Sequence, residues 1–347
     1  MKTNKLLSII IPSYNMENYI RKCLSSLVLN DESFDLLEVL IINDGSKDKT
    51  SEIAHLYEQQ YPNVFHVVDK ENGNYGSCIN RGLIEASGKY VKILDADDYF
   101  NPESLLSYLS FLSTTDVDLV LTDYNIVDEH AKVKKEKRFP IESVTEYIFD
   151  DICTIPGIVD LQMHAVTYKL KNLKEFKYHQ TEGISYTDQE WIFLPMTTVK
   201  KVVYYPAVLY NYLVGREGQT MQTSVLNKSI EQQVLCANNR LVDLKNRNLT
   251  LSENMKSYLF HALARVVTYV YRASVLRGIY DVNKLKIFDD KIKELNCDFY
   301  MYINEESIGL KISNFKYIKW FRKNGKSAPT LLSSLYLILY KLFHKEL

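Results

Sequence analysis

Four short apolar runs in the first hundred residues constrain the fold of this chain more than anything else in it. They are 6–11 (LLSIII), 37–42 (LEVLII), 64–68 (VFHVV) and 90–94 (YVKIL). Runs of this length closed by turn residues suit strands buried on both faces. Between them, 15–29, 48–60 and 77–86 carry helical spacing. In the first of these Tyr19, Ile20, Cys23, Leu24, Leu27 and Val28 share one face. Strand–helix alternation with tight turns predicts a parallel sheet covered by helices. In such sheets ligands bind outside the carboxyl ends of the strands. Those four ends carry Pro12-Ser13-Tyr14-Asn15, Asn43-Asp44-Gly45-Ser46, the stretch Lys70 to Gly76, and Asp95-Ala96-Asp97-Asp98.

The last end is the most demanding. Three carboxylates within four residues repel one another at neutral pH, and a plain turn needs only Asn, Gly or Ser. A cation belongs beside them. Mg²⁺ or Mn²⁺ takes one or two carboxylates and leaves positions open for substrate phosphates. Taken alone, an acidic turn after a strand is a weak signal.

Bulk properties exclude some alternatives. A formal net charge of −1 argues against whole-surface binding of nucleic acid. The five cysteines are scattered, with no metal-ligand spacing and no disulfide framework, which predicts a reducing compartment. The N-terminal apolar run is closed by Pro12 and reads as a strand rather than a leader, so a cytoplasmic location is expected. Further along, Asn101 and Pro102 open a helix over 102–112, and 117–122 reads as a strand. The charged run 130–138 reads as a solvated loop or hairpin. Residues 202–205 and 209–212 read as edge strands, separated by Pro206. From Ser229 to Gly278 the pattern is helical, and a helix is expected over 283–295.

The tail differs in kind. Lys316, Lys319, Arg322, Lys323 and Lys326 are interleaved with Phe315, Tyr317, Trp320 and Phe321, and an apolar stretch too short to span a bilayer follows Pro329. This suits peripheral contact with the inner face of a membrane. The bland account is a helix packed on the core or on a second subunit of a homo-oligomer.

The ordered set SIIIPSYNMENYI, LEVLIINDGSKDKT and ENGNYGSCINRGLIEASGKYVKILDADDYF resembles the nucleotide-sugar half of family 2 glycosyltransferases. The resemblance covers about the first 125 residues. It implies the GT-A fold, an α/β Rossmann-like mixed sheet. It also implies inverting transfer of a sugar from a nucleotide diphosphate, with Mn²⁺ or Mg²⁺ as cofactor. By that similarity Pro12, Tyr14 and Glu17 line the nucleoside pocket, Asp44 accepts from the base, and Asn72 and Gly73 approach the nucleotide. Asn80 and Arg81 form an Asn-Arg-Gly element, and Lys92 precedes the metal motif. Asp95 contacts ribose or metal, Asp97 ligates metal, and Ala96 and Asp98 share the donor site. Each has a plain counterpart: Asp44 as a turn residue, Asn80 as a helix-surface residue, Lys92 as a snorkelling strand residue.

Inversion needs one more carboxylate to take the acceptor's proton. Asp188 is the candidate base, in a polar segment before an expected helix over 191–197; its plain role is an N-cap. The family usually has Glu-Asp here, whereas this chain has Thr187-Asp188, and Glu190 is the reserve. Trp191 suits either an acceptor sugar face or the core. His164 is expected at the diphosphate or the acceptor, and Arg216, within the loop 214–220, at the diphosphate. The processive members' Gln-X-X-Arg-Trp motif is absent, which favours single addition. The resulting expectation is a GT-A domain over 1–225 (nucleotide-sugar half 1–125, acceptor half 126–225) and a helical extension over 226–347. A UDP-sugar donor and a surface-glycan or lipid-linked glycan acceptor are expected. A nucleotidyltransferase and a non-catalytic sugar-nucleotide-binding module are the alternatives. The first should carry a glycine-rich phosphate loop after the first strand, which PSYNMEN is not.

Overall fold

A computed structural model of the chain describes residues 5–30, 32–216, 227, 229–307 and 315–343, the side chains of 339–343 excepted. The chain divides into two compact units, Met1–Arg216 and Glu217–Leu347. The boundary expected at 225/226 lies outside the described residues, as do residues 217–220 of the expected loop.

The first unit is built on one sheet. Its strands are β1 (Leu7–Ser13), β2 (Leu37–Asn43), β3 (Phe65–Asp69), β4 (Tyr90–Ile93), β5 (Tyr99–Phe100), β6 (Leu119–Val127), β7 (Val133–Lys137), β8 (Glu146–Ile148), β9 (Val166–Lys169) and β10 (Lys201–Leu213). The path runs β3-β2-β1-β4-β9-β6-β10-β5, with β7 on β6 and β8 on β10. Strands β1 to β4 pair in parallel, and every residue of β1, β2 and β4 is buried. This is the arrangement the four apolar runs predict. Helices α1 (Ile20–Ser25), α2 (Thr50–Gln60), α3 (Asn74–Glu85), α4 (Pro102–Thr114), α5 (Phe149–Ile152) and α6 (Leu170–Glu175) accompany the sheet. Asn101 caps α4, its side chain accepting from the amides of Glu103 and Ser104.

The second half of the sheet departs from expectation in three places. Strand β9 runs antiparallel between β4 and β6, although four residues with no flanking turn signal do not announce a strand. The segments 202–205 and 209–212 are one strand, β10, parallel to β6. Pro206 does not end it, because the register shifts there and the bulge absorbs the missing N–H. On its other side β10 is covered by β8 at 201–203 and by β5 at 210–211, so it is not an edge. Residues 191–197 form no α-helix but 3₁₀ turns at Thr187–Glu190 and Leu194–Thr198, with Pro195 breaking the α pattern. The charged run 130–138 supplies β7, a hairpin arm on β6.

The second unit is helical: α7 (Ile230–Arg247), α8 (Glu253–Tyr271) with a π-helical turn at Arg272–Leu276, α9 (Val282–Leu295), α10 (Cys297–Tyr302), α11 (Tyr317–Asn324) and α12 (Thr330–Phe343). Arg322 of α11 turns inward, donating to Asp289 on α9 at 2.8 Å, with its guanidinium 3.3 Å from the Tyr300 ring centroid. Among the described residues no helix is long and apolar enough to cross a membrane.

Candidate active site

The chain leaves β4 directly into the acidic turn, and the structure gives the three aspartates three environments. Asp98 is buried. Its carboxylate accepts from the Tyr210 hydroxyl at 2.6 Å and the Leu213 amide at 2.7 Å, tying the turn to β10. Burial and the neighbouring Asp97 and Asp95 charges hold it well above the usual carboxylate range. Asp95 accepts from the Tyr75 hydroxyl at 2.9 Å. Burial first, then the charge of Asp97, pushes its carboxyl up to about 7. Asp97 is countered from outside the turn, since Arg216 Nε donates to it at 2.5 Å. The Arg216 guanidinium also lies 5.4 Å from the Tyr19 ring. Ala96 is buried between the first two acids.

Beneath the cluster lies a buried cation. Lys92 on β4 is fully enclosed, and its ammonium donates to the carbonyls of His164 at 2.7 Å and Val166 at 3.2 Å. Burial lowers its pKa to about 7. These bonds fix the 3₁₀ turn Met163–Ala165, so the His164 ring stacks on Tyr212 at 4.3 Å and meets Tyr210 edge-on at 4.8 Å. His164 Nδ1 is buried with no hydrogen-bond partner among the described residues. Burial and the Lys92 charge push the ring down to about 3, so it stays neutral.

The neighbouring strand ends gather a second network. Asp44, buried after β2, accepts from Lys70 Nζ at 2.5 Å and from the Gly73 amide at 2.9 Å. Asn72 donates to the Asp44 carbonyl at 3.0 Å. A Cβ on Gly73 would sit 2.7 Å from Ser77 Oγ, so the close turn into α3 needs glycine. Pro12 is buried at the end of β1, and Tyr14 is exposed. Glu17 accepts from the Lys49 amide at 3.1 Å. Asn80 is not a surface residue: it is buried on α3 and grips the 179–182 segment, donating to the Gln180 carbonyl and to Glu182 and accepting from the Gln180 amide. Arg81 is exposed and paired with Glu85 at 2.7 Å.

That gripped segment leads to Asp188. Gly76 lies against it so closely that a Cβ would be 1.9 Å from the Thr181 carbonyl oxygen. Asp188 accepts from its neighbour Gln189 at 3.1 Å, and its negative charge acts on both Asp95 and Tyr75. Asp188 therefore lies within electrostatic reach of the acidic turn and of Tyr75. Glu190 points elsewhere: it is buried and accepts from the Thr181 amide at 2.7 Å. Trp191 is a core residue, fully buried against Tyr168 and Tyr178.

Several site residues escape sequence reasoning. Tyr75, Tyr210 and Tyr212 hold or face the acids, and Lys70 bridges Asp44 to Ser77. The available signal is the two-residue spacing of Tyr210 and Tyr212, which puts both on one face of a strand.

The donor set suits a divalent cation. Asp95, Asp98 and His164 bring one ligand atom each within 4.8 Å of one another, two carboxylates and an imidazole. This grouping shares Asp95 with the pair expected from sequence. It adds the orphaned ring of His164, while Asp97 is occupied by Arg216. An acidic cluster with a counter-charged arginine and an opposed carboxylate can hold a cation and a diphosphate and accept a proton.

The profile of Glycosyl transferase family 2 matches residues 8–175, which include the acidic turn, Asp44, Asn80 and His164. An uncharacterized glycosyltransferase of Mycoplasma pneumoniae is 46% identical over 102 residues, 29% of this chain and 34% of that one. The minor teichoic acid biosynthesis protein GgaB of Bacillus subtilis is 25% identical over 268 residues, 74% of this chain and 28% of that one. The chain thus spans about a third of each of these relatives. Among solved structures, S. aureus TarS 1–349 in complex with UDP-GlcNAc superposes with a TM-score of 0.67 at 20% identity over 92% of both chains, a likeness of fold. The sheet order, the acidic turn after β4 and the profile match agree: residues 8–175 carry a glycosyltransferase family 2 domain.

Proposed function

We propose that the protein is an inverting, metal-dependent hexosyltransferase that uses a UDP-sugar and adds one residue to a growing bacterial surface glycan. The observation that supports this reading is the acidic turn at the end of β4, with Asp188 near enough for its charge to act on Asp95 and Tyr75. A base and a diphosphate site facing one another is the layout single displacement needs.

In this reading Asp44 and the Asn72-Gly73 turn receive the nucleoside, with Pro12, Tyr14 and Glu17 around it. A divalent cation held by Asp95 with Asp97, or with Asp98 and His164, would supply charge neutralisation at the diphosphate. Arg216 adds a guanidinium to the same charge and stabilises the leaving group. Asp188 takes the proton of the attacking acceptor hydroxyl. Lys92 acts through His164 by holding its turn, and Asn80 acts through the segment that carries Asp188. The complex of TarS with UDP-GlcNAc supports a uridine donor, and the name of GgaB supports a surface-glycan acceptor. The exposed lysines of α11 and apolar residues of α12 support peripheral contact with the membrane face where such glycans are assembled.

Nucleotide release from UDP-, GDP- and dTDP-sugars, with Mn²⁺ or EDTA, tests the proposal. One donor should be hydrolysed slowly in a metal-dependent way. Asp97→Ala and Asp188→Asn should each lower the rate about 100-fold or more. Release indifferent to EDTA and to Asp97→Ala removes the metal from the reading. Full activity in Asp188→Asn removes the base.

A further inference from the structure

Helix α3 has two functional flanks. From one, Tyr75 reaches Asp95. On the other, Ser77 and Arg81 border a cavity of about 520 Å³ between α3 and the α6 region, a volume in the range of ligand sites. Its lining includes the side chains of Lys70, Arg81, Lys174 and Lys177 and one acid, Glu182; Lys70 is paired with Asp44 at 2.5 Å and Lys174 Nζ donates to the Ala86 carbonyl at 2.7 Å. Leu83 and Leu173 supply apolar surface, and Tyr178 contributes an aromatic ring. That ring is fixed from behind: it meets Trp191 edge-on at 5.8 Å, and its hydroxyl donates to Gln180 at 3.2 Å.

Two of these cations stand at the rim in distinct settings. Lys177 occupies the left-handed position that ends α6, with φ +52°. Its amide donates to the Lys174 carbonyl and the Tyr178 amide to the Leu173 carbonyl. This is the helix-ending turn where glycine is the default residue. Lys177 stands at that position on the rim of the cavity, where glycine would also fit the backbone. Arg81 is committed only to Glu85 in a solvent-exposed pair. Such pairs contribute little, so an incoming anion can replace Glu85.

A fixed aromatic face flanked by cations, with apolar surface between, matches a saccharide that carries negative charge. The wall of the cavity also continues toward the candidate base: Glu182 lines it, Asn80 fastens it, and Asp188 follows six residues later. We infer that this groove binds an upstream stretch of the acceptor, a glycan bearing phosphate or carboxylate groups, while its end reaches Asp188. The inference rests on the glycosyl-transfer reading and adds the charge of the acceptor to it.

The test is calorimetric titration of the full chain with a glycerol phosphate oligomer, inorganic phosphate and oligoglutamate, in wild type, Lys177→Gly and Lys177→Glu. Glycine suits the positive φ, so a loss of binding in Lys177→Gly is not a loss of fold; thermal melting checks this. The oligomer should bind wild type, roughly tenfold more weakly Lys177→Gly, and more weakly still Lys177→Glu. Inorganic phosphate and oligoglutamate should bind far more weakly than the oligomer. Equal oligomer affinity in all three proteins, or no binding to wild type, overturns the groove. Oligoglutamate binding as well as the oligomer replaces the glycan with an acidic peptide. Inorganic phosphate binding as well reduces the site to one for a free anion. Donor hydrolysis by wild type without acceptor is read separately. Hydrolysis without oligomer binding removes the groove alone, and binding without hydrolysis of any donor removes the transferase reading alone.

Discussion

His164 shows how a single buried side chain links the site to the fold. Its ring is held between Tyr212 and Tyr210, with the Lys92 ammonium bonded to its own carbonyl and Asp95 and Asp98 close by. Burial and that ammonium push its pKa down to about 3, against about 6.5 in an unfolded chain. Between those two values the unfolded chain binds a proton that the folded chain refuses. Stability is therefore full above pH ~6.5 and falls as the pH drops toward 3, by up to ~4–5 kcal/mol. Urea midpoints of wild type and His164→Gln, followed from neutral pH to pH ~4, should show a shallower acid slope in the variant. Equal slopes would mean that the ring is not held neutral in the fold. At this scale the sequence is uneven evidence. Asp95, Asp97 and Asp98 stand out because three acids at the end of a buried strand have no cheap structural account. Lys92 also stands out, as a charge in a strand that is otherwise apolar. Its partners, the carbonyls of His164 and Val166, are more than seventy residues away, and no local pattern points to them. Tyr75, Tyr210 and Tyr212 are hidden among 26 tyrosines.

At the scale of elements, α3 is the part on which the site turns. Its glycines set how closely it sits to what it carries. A Cβ on Gly82 would lie 2.5 Å from Ile10 Cγ2, at a side chain of β1. A Cβ on Gly76 would lie 1.9 Å from the Thr181 carbonyl oxygen, which is backbone and has less room to yield. Overpacking of a buried contact costs about 1–3 kcal/mol. Gly82→Ala should fall in that range, and Gly76→Ala should cost more and displace the segment leading to Asp188. Denaturant unfolding orders the two variants, and donor hydrolysis separates them, with Gly76→Ala losing activity even where it is folded. If Gly82→Ala proves the more damaging, α3 is positioned by the sheet and not by the 179–183 segment. The first four strands and the helices between them are legible in sequence because each has its own period and its own turn residues. Strand β9 and the continuity of β10 are not. A four-residue strand is specified by the neighbours that accept it, and a proline reads as an interruption until β5 and β8 are seen to leave that part of β10 uncovered.

Across the whole molecule, the near-neutral net charge conceals an uneven distribution. The basic tail is less basic on its surface than its sequence suggests, because Arg322 is turned to Asp289 and Lys316 pairs with Glu305. Lys319, Lys323 and Lys326 remain exposed. On α12 Leu331 is 81% exposed and Ile338 57%, an apolar surface next in sequence to three unshielded cations. A basic residue near an anionic lipid surface contributes about 1 kcal/mol, so the three together are worth roughly 100-fold in partitioning, with the apolar residues adding to it. The full chain should therefore sediment with phosphatidylglycerol vesicles at low salt, be released by high salt, and bind phosphatidylcholine vesicles only weakly. Reversal of the three lysines to glutamate should abolish sedimentation while leaving donor hydrolysis in solution intact, since none of them is near the acidic turn in sequence or belongs to the first unit. If the wild-type chain ignores both kinds of vesicle and instead shows a concentration-dependent mass that Leu331→Glu makes monomeric, the apolar face of α12 is covered by a second copy. The acceptor would then have to reach the enzyme without help from the membrane surface.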